Sequence, residues 1–122
     1  MSIEDNKTHV RRFFKEVVSD GNLEVIEDLL DARCRYFDAG ILRTRGLTEF
    51  IDYVVQARKP FESINVEIEN IVAEGNEVAI RCSYHLALEG EHSVAPVMAH
   101  FRIEEGKIVE MWRVVATSNK VR

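Results

Sequence analysis

Apolar residues near the start of the chain recur at spacings of three and four. Val10, Phe13, Phe14, Val17 and Val18 share one helical face, and the spacing predicts an amphipathic helix over residues 4–20. Ser2 or Asp5 offers a side-chain oxygen to cap its first turn, and Gly21 provides a stop. Asn22 then opens a shorter helix with Leu23, Ile26, Leu29 and Leu30 on its apolar side, completing a helical hairpin. A short extended piece is expected around residues 34–38. Leu47, Phe50, Ile51, Val54 and Val55 return to helical spacing and predict a third helix, ended by Pro60.

From Ser63 the period becomes two. Ile64, Val66 and Ile68 alternate with Asn65, Glu67 and Glu69, the pattern of a strand with one wet face, and the slip at Asn70 marks a bulge. Turn signals at Gly75-Asn76, Gly90-Glu91 and Glu105-Gly106 divide the rest into strands near 77–89, 92–104 and 107–116, an antiparallel meander. If the last two turns have two residues, Glu89 pairs with His92 and Glu104 with Lys107. One face then gathers Val78, Ile80, Cys82, Tyr84 and Leu86 with Val97, Ala99, Phe101 and Ile103, and with Ile108, Trp112 and Val114. The helices are expected to cover that face. The other face gathers Arg81, His85, Met98, His100, Arg102, Val109, Met111 and Arg113, a mixture that suits an interface, so a homodimer through the sheet is expected. The whole pattern predicts an α+β fold, three N-terminal helices on a curved antiparallel sheet around an apolar hollow, as one domain over residues 1–122.

Composition narrows the function. With 46% hydrophobic and 30% charged residues in 122, the chain has ordinary globular make-up and enough length for one core. A net charge of −5 argues against a nucleic-acid partner, because phosphate-backbone binding needs a surplus of Lys and Arg. No leader-like apolar run opens the sequence and no membrane-length apolar stretch follows, so a cytoplasmic location without membrane association is expected. Cys34 and Cys82 lack metal spacing and read as reduced thiols. His85 and His100 share no ligand spacing with a carboxylate, and no metal is expected. Arg33, Arg35, Arg43 and Arg45 fall close together; they form either a mouth that attracts an anionic ligand or a solvated edge balanced by nearby acids.

Several segments carry a family likeness: N-x-x-x-V-R-R-F-F at 6–14, S-D-G-N-L at 19–23, A-E-G-N-E-V-A at 73–79 and F-R-I-E-E-G-K-I-V-E-M-W at 101–112. In this order they resemble the SnoaL-like, polyketide-cyclase-like branch of the NTF2-like superfamily, which is related to the ketosteroid isomerases. The resemblance implies a cone with a deep pocket between helices and sheet, commonly in a dimer. The segment Y-F-D-A-G at 36–40 resembles the place of the isomerases' catalytic aspartate, which makes Asp38 the candidate general base. The isomerases' oxyanion-donating tyrosine falls at Phe14 here and their second acid at Val97. The cyclases' acid falls at Ala116 and their pocket histidine at Leu88, so the cyclase mechanism does not carry over.

A carboxylate facing an apolar cavity can remove a proton α to a carbonyl, and the resulting enolate needs a hydrogen-bond donor. Tyr84 is the leading candidate donor, with Tyr36, Tyr53 and the Trp112 indole as others; the alternative role for Asp38 is that of a turn aspartate before Ala39-Gly40. Phe14, Tyr36, Tyr53, Val97, Ala99, Phe101, Trp112, Val114 and Ala116 are the candidate ligand-lining residues, unless the aromatic ones simply fill the hollow. The expected function is binding of a small hydrophobic, carbonyl-bearing molecule, with cofactor-free isomerase or cyclase chemistry at Asp38. The alternative is a non-catalytic ligand-binding or dimerisation module.

Overall fold

The structure is a computed structural model and describes residues 2–116 and the backbone of 119–121. The chain opens with α1 (Ile3–Arg12), capped by a reciprocal pair: Ser2 Oγ accepts from the Asp5 N–H at 3.0 Å and the Asp5 carboxylate accepts from the Ser2 N–H. Without a break the helix widens into a π-helical stretch, Phe13–Ser19, and the Asp20 N–H reaches back five residues to the Lys15 carbonyl. Gly21, at a φ of +67°, ends it as expected. Asn22 caps the next segment through the Glu24 N–H, but that segment is only a 3-10 turn, Leu23–Val25, followed by the four-residue α2, Ile26–Leu29.

Two strands follow, β1 (Leu30–Asp38) and β2 (Ile41–Arg45), and only then α3, Gly46–Arg58. The expectation of three leading helices is corrected accordingly: an antiparallel ribbon separates the third helix from the first two. The C-terminal half is β3 (Ser63–Glu74), β4 (Glu77–Leu88), β5 (Glu91–Glu104) and β6 (Lys107–Val115), with a short β7 (Asn119–Val121) against the start of β5. The sheet order is β2-β1-β6-β5-β4-β3. The sheet is mixed, because β1 runs parallel to β6 while the other described pairings are antiparallel.

Two turns refine the register. The β3–β4 bulge lies between Ile68 and Asn70, as the broken alternation indicates. The β4–β5 turn is Glu89-Gly90, with Leu88 paired to Glu91, one residue earlier than expected. Both turn residues have positive φ, as a two-residue hairpin of this hand requires, and the two-residue shift in pairing leaves every side chain on its expected face. The β5–β6 hairpin turns at Glu105-Gly106 as expected, yet Ile103 pairs with Ile108 whereas Arg102 pairs with Glu110. Val109 is therefore one residue too many, and a one-residue slip exchanges the faces of all that follows. Met111 is buried at 3% exposure beside Phe101, while Trp112 and Val114 are 37% and 58% exposed on the outer side. The placement of Trp112 and Val114 on the helix-covered face is thus overturned, and Met111 and Arg113 take that face instead.

The core is aromatic where the first helix crosses the sheet. Phe101 meets Phe13 and Phe14 edge-on, with ring centroids 5.7 and 5.5 Å away. Cys34 and Cys82 are buried and unpaired, and burial pushes both thiols up to about 12. No helix among the described residues is long and apolar enough to cross a membrane.

Candidate functional site

Between the first helix, α3 and the inner face of the sheet lies a cavity of about 230 Å³. Phe13, Phe14 and Val17 come from the π-helical stretch, whose wider turn sets two consecutive phenylalanines against the same hollow. Phe50, Tyr53 and Val54 come from α3 at helical spacing. The sheet answers with small residues, Ala95 and Ala99 on β5, next to the larger Tyr84 and Phe101. Those two alanines leave space that a Val or Leu would fill. The wall is mostly apolar: apart from Arg58, whose guanidinium donates to the Val18 and Ser19 carbonyls, its polar side chains gather around one residue.

That residue is Arg113. The side chain is largely buried, and its Nη2 donates to the Tyr53 hydroxyl at 2.6 Å and to the Asp38 carboxylate at 3.4 Å. Its Nη1 donates to the Tyr84 hydroxyl at 3.4 Å, and the guanidinium lies over the rings of Tyr36 and Tyr84. Tyr36 and Tyr53 join hydroxyl to hydroxyl at 3.4 Å. The Nε hydrogen of Arg113 is buried with no acceptor. Burial pushes the Tyr84 phenol up to about 12 against the pull of Arg113, and burial likewise raises Tyr36. Both phenols therefore stay protonated at neutral pH, and the guanidinium stays charged.

Asp38 ends β1 immediately before the Ala39-Gly40 turn, where the Ala39 N–H donates to the Arg113 carbonyl at 2.9 Å. Its carboxylate has a guanidinium partner and does not belong to the cavity wall, so the expected apolar surround is replaced by an ion pair. The structure does bring Tyr84, Tyr36, Tyr53, Phe14, Ala99 and Phe101 to the wall. Val97 is buried in the core away from it, and Val114 and Ala116 are exposed. Trp112 touches the cavity edge, but its indole stacks flat on Phe37 at 3.9 Å and donates to the Glu110 carboxylate at 2.7 Å.

Glu110 is an arginine partner: Arg35 and Arg102 both reach it. Its carboxyl is held below the usual range, first by the Trp112 indole and then by those two cations. Arg113 was missed because strict alternation was carried through β6. The signal was present in two adjacent apolar pairs, Ile108-Val109 and Met111-Trp112, which no single alternating register can satisfy.

Helices that close one side of a curved, unclosed sheet around such a cavity define an NTF2-like cone. The SnoaL-like domain family matches residues 10–111, and the chain belongs to it. Similar solved structures include IdmH from Streptomyces antibioticus, assigned as a polyketide cyclase, with a TM-score of 0.80 at 16% identity over 90% of this chain and 91% of that one. A SnoaL-like protein from Jannaschia sp. CCS1, also assigned as a polyketide cyclase, gives a TM-score of 0.82 at 20% identity over 94% and 88%. An LEH-like epoxide hydrolase from M. tuberculosis gives 0.80 at 17% identity over 93% and 84%. Curated proteins give no significant sequence match. Differently named activities on one cone place the functional argument in the side chains of the cavity rather than in the fold.

Proposed function

We propose that the cavity binds a small, largely apolar molecule carrying a carbonyl or enol oxygen, and that this oxygen docks against Arg113. One observation carries the reading: a permanently charged guanidinium with an unused, buried Nε–H stands in a largely apolar hollow, while the other guanidinium of the wall, Arg58, is engaged by the Val18 and Ser19 carbonyls. A ligand oxygen would supply the missing acceptor, while Phe14 and Phe101 hold the apolar body. Cyclic enones and their oxygen-free hydrocarbon counterparts test this directly by calorimetric titration. Enones are expected to bind at least tenfold more tightly, and Arg113→Met to erase the difference; equal binding of both ligand types to wild type refutes the docking.

The same site supports isomerase or cyclase chemistry without a cofactor. Asp38 takes a proton from the carbon next to the carbonyl, and negative charge passes to the ligand oxygen beside Arg113, Tyr53 and Tyr84. Arg113 then faces an anion throughout, first the carboxylate and afterwards the enolate, so little electrostatic reorganisation accompanies the step. The protonated Asp38 returns its proton to a different carbon. In a dienone-forming isomerisation assay Asp38→Asn is expected to lower kcat by orders of magnitude; equal rates exclude Asp38 as the base. The position of Asp38 off the cavity wall favours the second reading, a binding module without catalysis. The outer sheet face further supports a homodimer, since Met98 and Val114 are 64% and 58% exposed there. Sedimentation showing only monomer at micromolar concentration rejects that assembly.

A further inference from the structure

Two arrangements at the β1–β2 ribbon run against simple electrostatics. Arg35 and Arg45 are direct cross-strand partners, and like charges so placed destabilise a sheet. Arg45 is also the residue from which α3 starts; its own side chain makes no capping bond and Glu49 is the single acid of the first turn, so a cationic residue sits beside the positive end of the helix dipole. Together with Arg33, Ala32, Leu42 and Gly46 these arginines line an open cleft of about 520 Å³ on the side of the ribbon away from the cavity. Gly46 holds the helix start close to β1: at a φ of +78°, a Cβ there would lie 3.2 Å from the Ala32 carbonyl oxygen.

Nearby acids leave the cleft underneutralised. Glu110 pairs with Arg35 but is shared with Arg102 and the Trp112 indole. Glu49 and Asp31 accept backbone N–H groups, those of Arg45 and Arg33 respectively. Among the described residues neither the Arg33 nor the Arg45 guanidinium forms an ion pair. In a chain of net charge −5, such a concentration of positive charge stands out from its surroundings.

An anion in the cleft removes both conflicts at once, by separating the facing arginines with opposite charge and by meeting the free N–H groups of the α3 start. We propose that this cleft binds the phosphate group of a small phosphorylated molecule, held by Arg33, Arg35 and Arg45. A carboxylate has two oxygens for three planar guanidinium forks and a helix start. A phosphate monoester offers three terminal oxygens and roughly −1.5 to −2 charge, which fits that donor set.

Titration of the whole protein with inorganic phosphate and with pyrophosphate, at constant ionic strength, tests the site by calorimetry and by the shift in Tm. Wild type is expected to show saturable single-site binding of pyrophosphate and a rising Tm. Arg33→Gln and Arg45→Gln are each expected to weaken binding at least tenfold, with Arg45→Lys in between because it keeps charge but loses the fork. Without anion, Arg45→Gln is expected to melt no lower than wild type, since it removes a like-charge contact, and to bind cavity ligands unchanged. Equal pyrophosphate binding by wild type and both glutamine variants identifies an adventitious ion only and overturns the site. A lower Tm for anion-free Arg45→Gln overturns the electrostatic argument, and binding to anionic lipid vesicles without a response to free pyrophosphate assigns the patch to a membrane surface instead.

Discussion

The guanidinium of Arg113 donates to the Tyr53 hydroxyl at 2.6 Å, joining the last long strand to α3 across the end of the cavity. Tyr84 and Asp38 share the same guanidinium, so one side chain ties three strands and a helix together. Its loss affects more groups than the loss of any one partner.

Arg113→Met is therefore expected to destabilise the fold more than Asp38→Asn. Methionine keeps much of the volume but leaves the Asp38 carboxylate and two phenols without their donor, a cost of about 1–3 kcal/mol. Asp38→Asn leaves the arginine its tyrosines. Urea denaturation of the two single variants and the double variant measures the order, and the double is expected to cost less than the sum.

Stability is expected to fall in alkali. An unfolded tyrosine loses its proton near 10.0, whereas folded Tyr84 holds its own up to about 12. Between those values the folded state binds more protons than the unfolded one, so stability decreases as pH rises. Cys34 and Cys82 act in the same direction from 9.0 to about 12. Urea midpoints unchanged between about pH 8 and about pH 11 contradict this; thiol reagents are likewise expected to label both cysteines only on unfolding.

Gly21→Ala is expected to cost about 1–3 kcal/mol. The position has a φ of +67°, and a Cβ there would stand 2.6 Å from Arg58 Nε. Arg58 cannot yield freely, because its guanidinium donates to the Val18 and Ser19 carbonyls at the end of the π-helical stretch. In an Arg58→Ala background the same substitution is expected to cost less, and thermal melts of the four proteins decide it.

Trp112 is the single tryptophan, 37% exposed on the outer face with its indole stacked on Phe37. Iodide is expected to quench its fluorescence in the monomer and to quench it less as protein concentration rises through a dimerisation range. A strongly blue-shifted emission, shielded from iodide at every concentration, contradicts the register found for β6.

Much of the fold was legible because one face of β3, β4 and β5 is buried and the other is wet, which imprints strict alternation. The strand β1 was legible only as a short extended piece. Arginines and aspartates on its exposed side dilute a buried series of Leu30, Cys34 and Tyr36, and a parallel partner distant in sequence leaves no turn signal. Of the cavity aromatics, Phe13 and Phe50 read only as apolar helix positions and Phe61 carried no signal, whereas Phe14, Phe101, Tyr36, Tyr53 and Tyr84 could be named from the sequence. Arg113 could not, because its position depends on a bulge at Val109, and a bulge in an apolar run leaves little trace beyond two neighbouring hydrophobic pairs.

That extra residue also decides what chemistry the hollow offers. Building Val109 into the ladder instead of bulging it out would turn the end of the last long strand by one step, exchanging a charged floor for an indole, whereas deleting it would leave Met111 and Arg113 facing inward. The bulge at one residue, rather than any substitution in the wall, thus sets whether the floor of this hollow is cationic or aromatic.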